Sequence, residues 1–280
     1  MLSYNMVEFD RFQYSEKIKF LAKEFQRTAK KDENWLSNIG NMYASKVYKE
    51  SVLDDVEFVY TNCSSSFRTN INEIIDFGCG SGITTGILAD LGLRVTGLEY
   101  TGNWVDGPLD SDLLTKQVNQ YKKCHDIILK NFDLKNLKFD YYKDKEDLSQ
   151  LEPRYVTMFA VWEHLEKSNR DDLIDFLNSR INLEKIFITK LPRKYSWQEN
   201  VARLMRVESH SKIYTLKMFK KEISKLHYSI SRFEVNELFL NHPNYLANFL
   251  FPLTKTIQRF RVDRIFKFFM HDFRILLTRS

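Results

Sequence analysis

Three glycines at alternate positions, Gly78, Gly80 and Gly82 in the run DFGCGSG, mark the place in this sequence best suited to hold a ligand against bare backbone. Without side chains the chain can turn sharply and come close to a bound molecule. The next apolar run, RVTGLEY, carries Glu99 near its end. A carboxylate there can accept hydrogen bonds from both hydroxyls of a ribose, which explains an acid at that position. A dinucleotide fingerprint would read Gly-x-Gly-x-x-Gly, with its third glycine tight against the helix. Here the third glycine comes one position early and Ile83 stands in its place. The spacing therefore disfavours a pyrophosphate and an NAD-dependent dehydrogenase, and favours a nucleoside carrying a compact amino-acid tail. Asp76 before the turn and Tyr100 after Glu99 complete the candidate binding set.

A second group of residues could do proton chemistry. His164, in VWEHLE, follows the fourth apolar run. An imidazole, with an ordinary pKa of roughly 6.5, suits a general base at neutral pH. A histidine that caps or packs the following helix is the competing reading. Glu163 could orient His164, or be a surface acid at a helix start. A divalent metal would want a further carboxylate ahead of Glu163, but the run is Ala160-Val161-Trp162-Glu163-His164. His210 is a distant substitute, so no metal is expected. Lys190, Arg193 and Lys194 stand with Tyr195 and Trp197 after the fifth apolar run. Cationic forks bind phosphate or carboxylate and aromatic faces pack on sugar or lipid rings, so Arg193, Tyr195, Trp197 and His210 are taken as the substrate side. A solvated basic loop is the plainer alternative.

These residues need a scaffold that brings them to one edge. EIIDFGCG is a short apolar run closed by glycines, as a buried parallel strand should be. A helix is expected over 84–91, ended by Gly92, then the strand RVTGLEY, a helix over about 112–130, and the strand LKFDYYKD. RYVTMFAV, a helix over roughly 171–180 and LEKIFITKLP follow, with SISRFEVNELFL and DFRILLTRS as the last strands. Strands separated by helical lengths predict a doubly wound α/β fold, with seven strands in a mostly parallel sheet. Residues 1–70 show helical apolar spacing at Ile18, Leu21 and Phe25 and no strand pattern. They are expected to form a helical extension or lid on a main domain over 71–280. In such sheets ligands bind beyond the carboxyl ends of strands, where the glycine run lies.

Composition narrows the class. With 280 residues, 43% of them hydrophobic, the chain can bury a sizeable core. The net charge of +5 is too small to argue for nucleic acid without a clustered basic face, and none is expected as partner. Three scattered cysteines, Cys63, Cys79 and Cys124, suggest neither a disulfide framework nor a thiolate zinc site. The start, MLSYNMVEFD, lacks a signal-peptide pattern, and no apolar run is long enough for a span, so a reduced, cytoplasmic protein is expected. The tail over 256–271 mixes Arg259, Arg261, Arg264 and Lys267 with Phe260, Ile265, Phe266 and Phe269. Such a basic amphipathic stretch can lie on an anionic membrane, though helical apolar spacing more often faces a core or a subunit interface.

On these residues the sequence resembles the class I S-adenosylmethionine-dependent methyltransferases. DFGCGSG and GLEY look like the first two motifs of that family, and KDKEDL like its stretch after strand three. The resemblance implies a Rossmann-like methyltransferase fold and S-adenosylmethionine as donor, with the glycines near its methionine part and Glu99 on the ribose. It implies that Asp144 contacts the adenine amino group, with Asp147 close by in sequence. VWEHLE is similar to the Glu-His signature of small-molecule methyltransferases. LPRKYSWQENVARL with IYTLKMFKK resembles a region of bacterial sugar and natural-product enzymes. The implied reaction is methylation of a hydroxyl on a small-molecule or carbohydrate acceptor. A phosphorylated or lipid- or nucleotide-linked sugar of surface polysaccharide biosynthesis fits best. A non-catalytic donor-binding scaffold, or an enzyme acting on a quinone, lipid or nucleic acid, is the alternative. The Asn-Pro-Pro-Tyr signature of amino-group DNA methylases is missing after strand four.

Overall fold

The computed structural model describes residues 9–30, 33–63, 73–100, 111–132, 134–142, 148–192, 213–236 and 272–280. Three helices come first: α1 (Arg11–Thr28), α2 (Asn34–Ala44) and α3 (Lys46–Cys63). Then β1 (Glu73–Phe77), α4 (Ile83–Asp90), β2 (Arg94–Tyr100), α5 (Ser111–Phe132) and β3 (Leu137–Tyr142) alternate. The chain continues through β4 (Tyr155–Phe159), α6 (Lys167–Ser179), β5 (Lys185–Pro192), α7 (Leu216–Glu222), β6 (Tyr228–Asn236) and β7 (Asp272–Arg279). All seven expected strands are present.

They form one sheet in the order β3-β2-β1-β4-β5-β7-β6. The first five positions are parallel, and β7 runs antiparallel between β5 and β6. The order reverses between β1 and β4, which places the switch point beside the glycine turn.

Side-chain alternation explains why helices cover both faces. Ile74, Val95, Phe187 and Leu276 point into one buried cluster, while their neighbours Ile75, Ile186, Ile188, Ile275 and Leu277 point into the other. The second cluster is filled by Leu173, Ile174 and Leu177 of α6 and Phe219 of α7. The first is filled by Ile87 and Leu88 of α4, Ile128 of α5, and Ile18, Leu21, Phe25, Leu36, Leu53 and Val56 of α1–α3. The amino-terminal helices thus share the main core and form part of a layer of the sheet domain. A buried ion pair ties them across it: Arg274 Nε of β7 donates to Asp55 Oδ1 of α3 at 2.6 Å.

Asp76 sits under the switch point as a brace. Thr85 Oγ1 of α4 donates to its Oδ2 at 2.6 Å, and Thr157 Oγ1 of β4 to its Oδ1 at 2.8 Å. Burial pushes the Asp76 carboxyl up to about 6, against the pull of these two donors. Thr85→Val keeps the shape and removes one donor from a buried acceptor, so it should cost about 2 kcal/mol. A thermal melt checks this, and an unshifted melting temperature would deny Asp76 its bracing part.

Candidate functional site

At the carboxyl edge of β1, the amides of Gly78 and Cys79 donate to Leu98 O at 2.8 and 3.1 Å, which folds the turn onto β2. Gly82 N returns to Cys79 O at 2.9 Å, and Gly82, at φ 78°, leads directly into α4. The three glycines do different work. A Cβ on Gly78 would stand 2.8 Å from Val161 Cγ2, and one on Gly82 would stand 2.7 Å from Phe139. At Gly80 a Cβ would meet nothing within 4 Å among the described residues. Gly80 alone of the three borders open space.

Glu99 faces that opening. Its Oε2 accepts from Gly80 N at 2.7 Å, while among the described residues Oε1 receives only a long bond, 3.3 Å, from Tyr100 N. Burial pushes the Glu99 carboxyl up to about 7, and the two amides pull the other way. A carboxylate held by one oxygen, with lone pairs left on the other, is ready for hydroxyl donors. Tyr100 packs against Tyr142 with ring centroids 5.0 Å apart, giving this edge an aromatic wall.

The edge of β4 carries the second group. Ala160 at the end of β4 and Lys190 on β5 have φ of 56° and 58°, the only two non-glycine residues with positive φ among those described. Strain of this kind gathers at functional sites. After Ala160 the chain makes a short 3₁₀ turn over Trp162–His164. Glu163 is 1% exposed and His164 48% exposed at the side chain, with Nε2 3.8 Å from Glu163 Oε1. The turn is anchored from beneath through Glu222 of α7. Its Oε2 accepts from Trp162 Nε1 at 3.2 Å and Tyr214 Oη at 3.0 Å, with Arg170 Nε 3.6 Å away.

Gly78, Gly80, Gly82, Glu99, Tyr100, Glu163 and His164 thus lie on adjoining strand ends. Asp76 lies below them with both oxygens taken by threonines. Lys190, which the sequence groups with the basic residues of the substrate side, turns inward instead. Its Nζ stands 3.5 Å from Asp55 Oδ2 and 4.7 Å over the Tyr48 ring. The buried carboxylate and the left-handed backbone draw it toward α3. Asp144, Arg193, Tyr195, Trp197, His210 and the tail over 256–271 lie outside the described residues. Among the described residues, no three His, Cys, Asp or Glu side chains cluster as a metal site would need.

Two contacts to the turn come from residues with no motif around them. Tyr43 Oη of α2 is hydrogen-bonded to Ser81 Oγ at 2.7 Å, so an amino-terminal helix ends against the glycine turn. His125 of α5 is buried against it from the other side. Its Nε2 lies 2.8 Å from Gly80 O, its Nδ1 2.5 Å from Tyr141 Oη, and its ring 3.9 Å from that of Phe139 at an angle of 3°. Burial pushes this imidazole down to about 4, so it is neutral at physiological pH. A histidine one position from the apolar Cys124 and three from Ile128 was the only sign of it in the sequence.

A family model described as a methyltransferase domain matches residues 6–225. A search of curated proteins found no match. Among solved structures, magnesium protoporphyrin IX methyltransferase (ChlM) from Synechocystis PCC 6803 with bound SAH is similar, with a TM-score of 0.53 and 12% identity over 97% of this chain and 100% of that one. The small RNA methyltransferase HEN1 is similar with a TM-score of 0.50 and 17% identity over 83% of this chain and 25% of that one. At these identities the likeness is one of fold.

Proposed function

This chain belongs to the methyltransferase-domain family, and from that premise we propose that it transfers a methyl group from S-adenosylmethionine to a hydroxyl of a small-molecule or carbohydrate acceptor. It is a class I S-adenosylmethionine-dependent methyltransferase with the family's Rossmann-like sheet. The observation that carries the site assignment is the pairing of an open, side-chain-free Gly80 with a Glu99 carboxylate that keeps acceptor capacity on Oε1. A nucleoside with vicinal hydroxyls fits that pair.

When bound, S-adenosylmethionine supplies a methyl group on a sulfonium, open to in-line attack. Glu99 would hold the ribose, Gly80 would leave room for the amino-acid part, and Tyr100 would wall the base. Asp144 belongs to this proposal on its sequence position after β3. His164, beside Glu163, would take the proton of the acceptor hydroxyl, and the shared edge orients the two substrates. Arg193, Tyr195, Trp197 and His210 are assigned to the acceptor on their types. That set supports a phosphorylated or lipid- or nucleotide-linked sugar of surface polysaccharide. The three free thiols support a cytoplasmic setting.

The test is transfer of labelled methyl from S-adenosylmethionine to a panel of linked sugars, quinone head groups and RNA. Label in a sugar fraction that survives alkali supports an ether on a hydroxyl. Alkali-labile label, or label in RNA, overturns the proposed acceptor.

The raised Glu99 pKa gives donor binding a pH dependence. Hydroxyl donors and a cationic ligand both favour the carboxylate, so binding lowers its pKa and releases a proton wherever the free enzyme is protonated. Affinity should therefore fall as pH drops below about 7 and level off above it. The loss should be at most about tenfold per pH unit. Calorimetry between mildly acidic and mildly alkaline pH reads this directly. A flat profile would place the ribose elsewhere.

A further inference from the structure

We propose that His125 is a positioning residue for the methyl donor: its imidazole fixes the Gly80 carbonyl, and with it the amide that holds the Glu99 carboxylate in place. The inference rests on the assignment of Glu99 to the donor.

Gly80 has the freest backbone of the turn, since it has φ 55° and, among the described residues, no atom within 4 Å of where a Cβ would stand. Packing on that side does not confine it. Its two polar groups are held instead by side chains from other elements. The N–H goes to Glu99 of β2, and the C=O accepts from His125 of α5, its hydrogen-bond donor among the described residues. Freed of the imidazole, the carbonyl would rotate to find another partner. That rotation carries the neighbouring peptide with it and takes the amide away from Glu99.

The surroundings fix the imidazole's proton. Gly80 O can only accept, so Nε2 carries the hydrogen. The bare Nδ1 must then accept from the Tyr141 hydroxyl. A single tautomer satisfies both partners.

The neighbouring glycines are shaped around the same ring. Phe139 stacks flat on His125, and a Cβ on Gly82 would stand 2.7 Å from Phe139 Cζ and 2.8 Å from His125 Cδ2. A Cβ on Gly97 of β2 would stand 2.7 Å from Phe139 Cδ1. Gly82 and Gly97 leave space for the stacked pair, and the stacked pair sets the turn. The third glycine of the motif therefore serves the support and only indirectly the ligand.

The test joins a spectroscopic readout to binding. Nitrogen-labelled histidine in the wild-type protein, with His125→Gln to assign the signal, should show a neutral Nε2–H ring with a bare Nδ1. An Nδ1–H tautomer or a charged ring at neutral pH overturns the proposal. By calorimetry with S-adenosylmethionine, His125→Phe keeps the stack and loses the donor, and should weaken binding about tenfold. His125→Gln returns an N–H near Gly80 O and should recover most of that loss. Wild-type affinity in a folded His125→Phe, with Glu99→Ala impaired, overturns the positioning part and leaves the Glu99 assignment standing. Wild-type affinity in Glu99→Ala removes the assignment itself. Should His125→Phe fail to fold, Tyr141→Phe carries the test. Its loss of the Nδ1 partner should weaken binding about threefold, and unchanged affinity there overturns the proposal.

Discussion

Glu99→Ala weakens S-adenosylmethionine binding by about 100-fold while the protein stays folded. Hydrogen bonds to a charged acceptor contribute about 1.5–3 kcal/mol each, and truncation removes those to the ribose and also frees the Gly80 amide. Even with part of this recovered by water, about 2.7 kcal/mol remains, which is the stated factor. Folding should tolerate the change for a reason specific to this site. The folded-state pKa of Glu99, about 7, stands above the 4.5 of a glutamate in water. A raised carboxyl favours the native state only while protonated, so that contribution fades as pH rises through the two values. Above pH 7 the fold carries a buried charge, for which the proposed partner is the ligand. Glu99→Gln should therefore melt no lower than wild type at pH 8 and still bind the donor poorly. Calorimetry and a melt on the same sample separate the two effects. Loss of affinity that merely follows loss of the melt would remove Glu99 from the binding site.

The strands themselves were legible because their existence and bounds follow from local apolar runs. EIIDF, YVTMF and KIFITKLP are buried at successive positions and therefore rich in apolar residues, and RVTGLEY is buried over its middle four. The position of β7 between β5 and β6 rests on pairing between residues far apart in the chain, and no local pattern carries it. The short helix Leu216–Glu222 is held by its Thr215 cap, whose Oγ1 accepts from Met218 N, and by Phe219; at seven residues it makes little periodic signal. The same division runs through the site. Gly80 and Glu99 were legible because their contacts follow from consecutive elements. Lys190 misled because its charge suggested a ligand, whereas Asp55 of α3 faces it across the sheet edge. His125 and Tyr43 reach the turn from separate helices, and that convergence exists only in the folded chain. Gly82 was read as making room for the ligand, and the ring stack it accommodates comes from α5 and β3.

His164→Ala lowers the rate of methyl transfer by about 100-fold or more, at unchanged affinity for S-adenosylmethionine. A hydroxyl is a poor nucleophile toward a sulfonium methyl until its proton begins to leave, and a placed base supplies that transfer. His164 has the accessibility for this work, being 48% exposed at the side chain on the strand edge next to the glycine turn. Glu163 is 1% exposed and fixed in the same turn, 3.8 Å from Nε2. The acquired positive charge on the ring would be favoured by that neighbouring carboxylate. On the proposal that Glu163 acts through His164, Glu163→Gln should cost about tenfold, a smaller loss than that of the base itself. Single-turnover transfer to the acceptor fraction that takes label measures both variants. Imidazole added to His164→Ala should restore part of the rate, because the space left by the side chain opens to solvent. An unchanged rate in His164→Ala would make the histidine a surface residue of the turn. The acceptor would then be deprotonated from elsewhere, or would need no base at all.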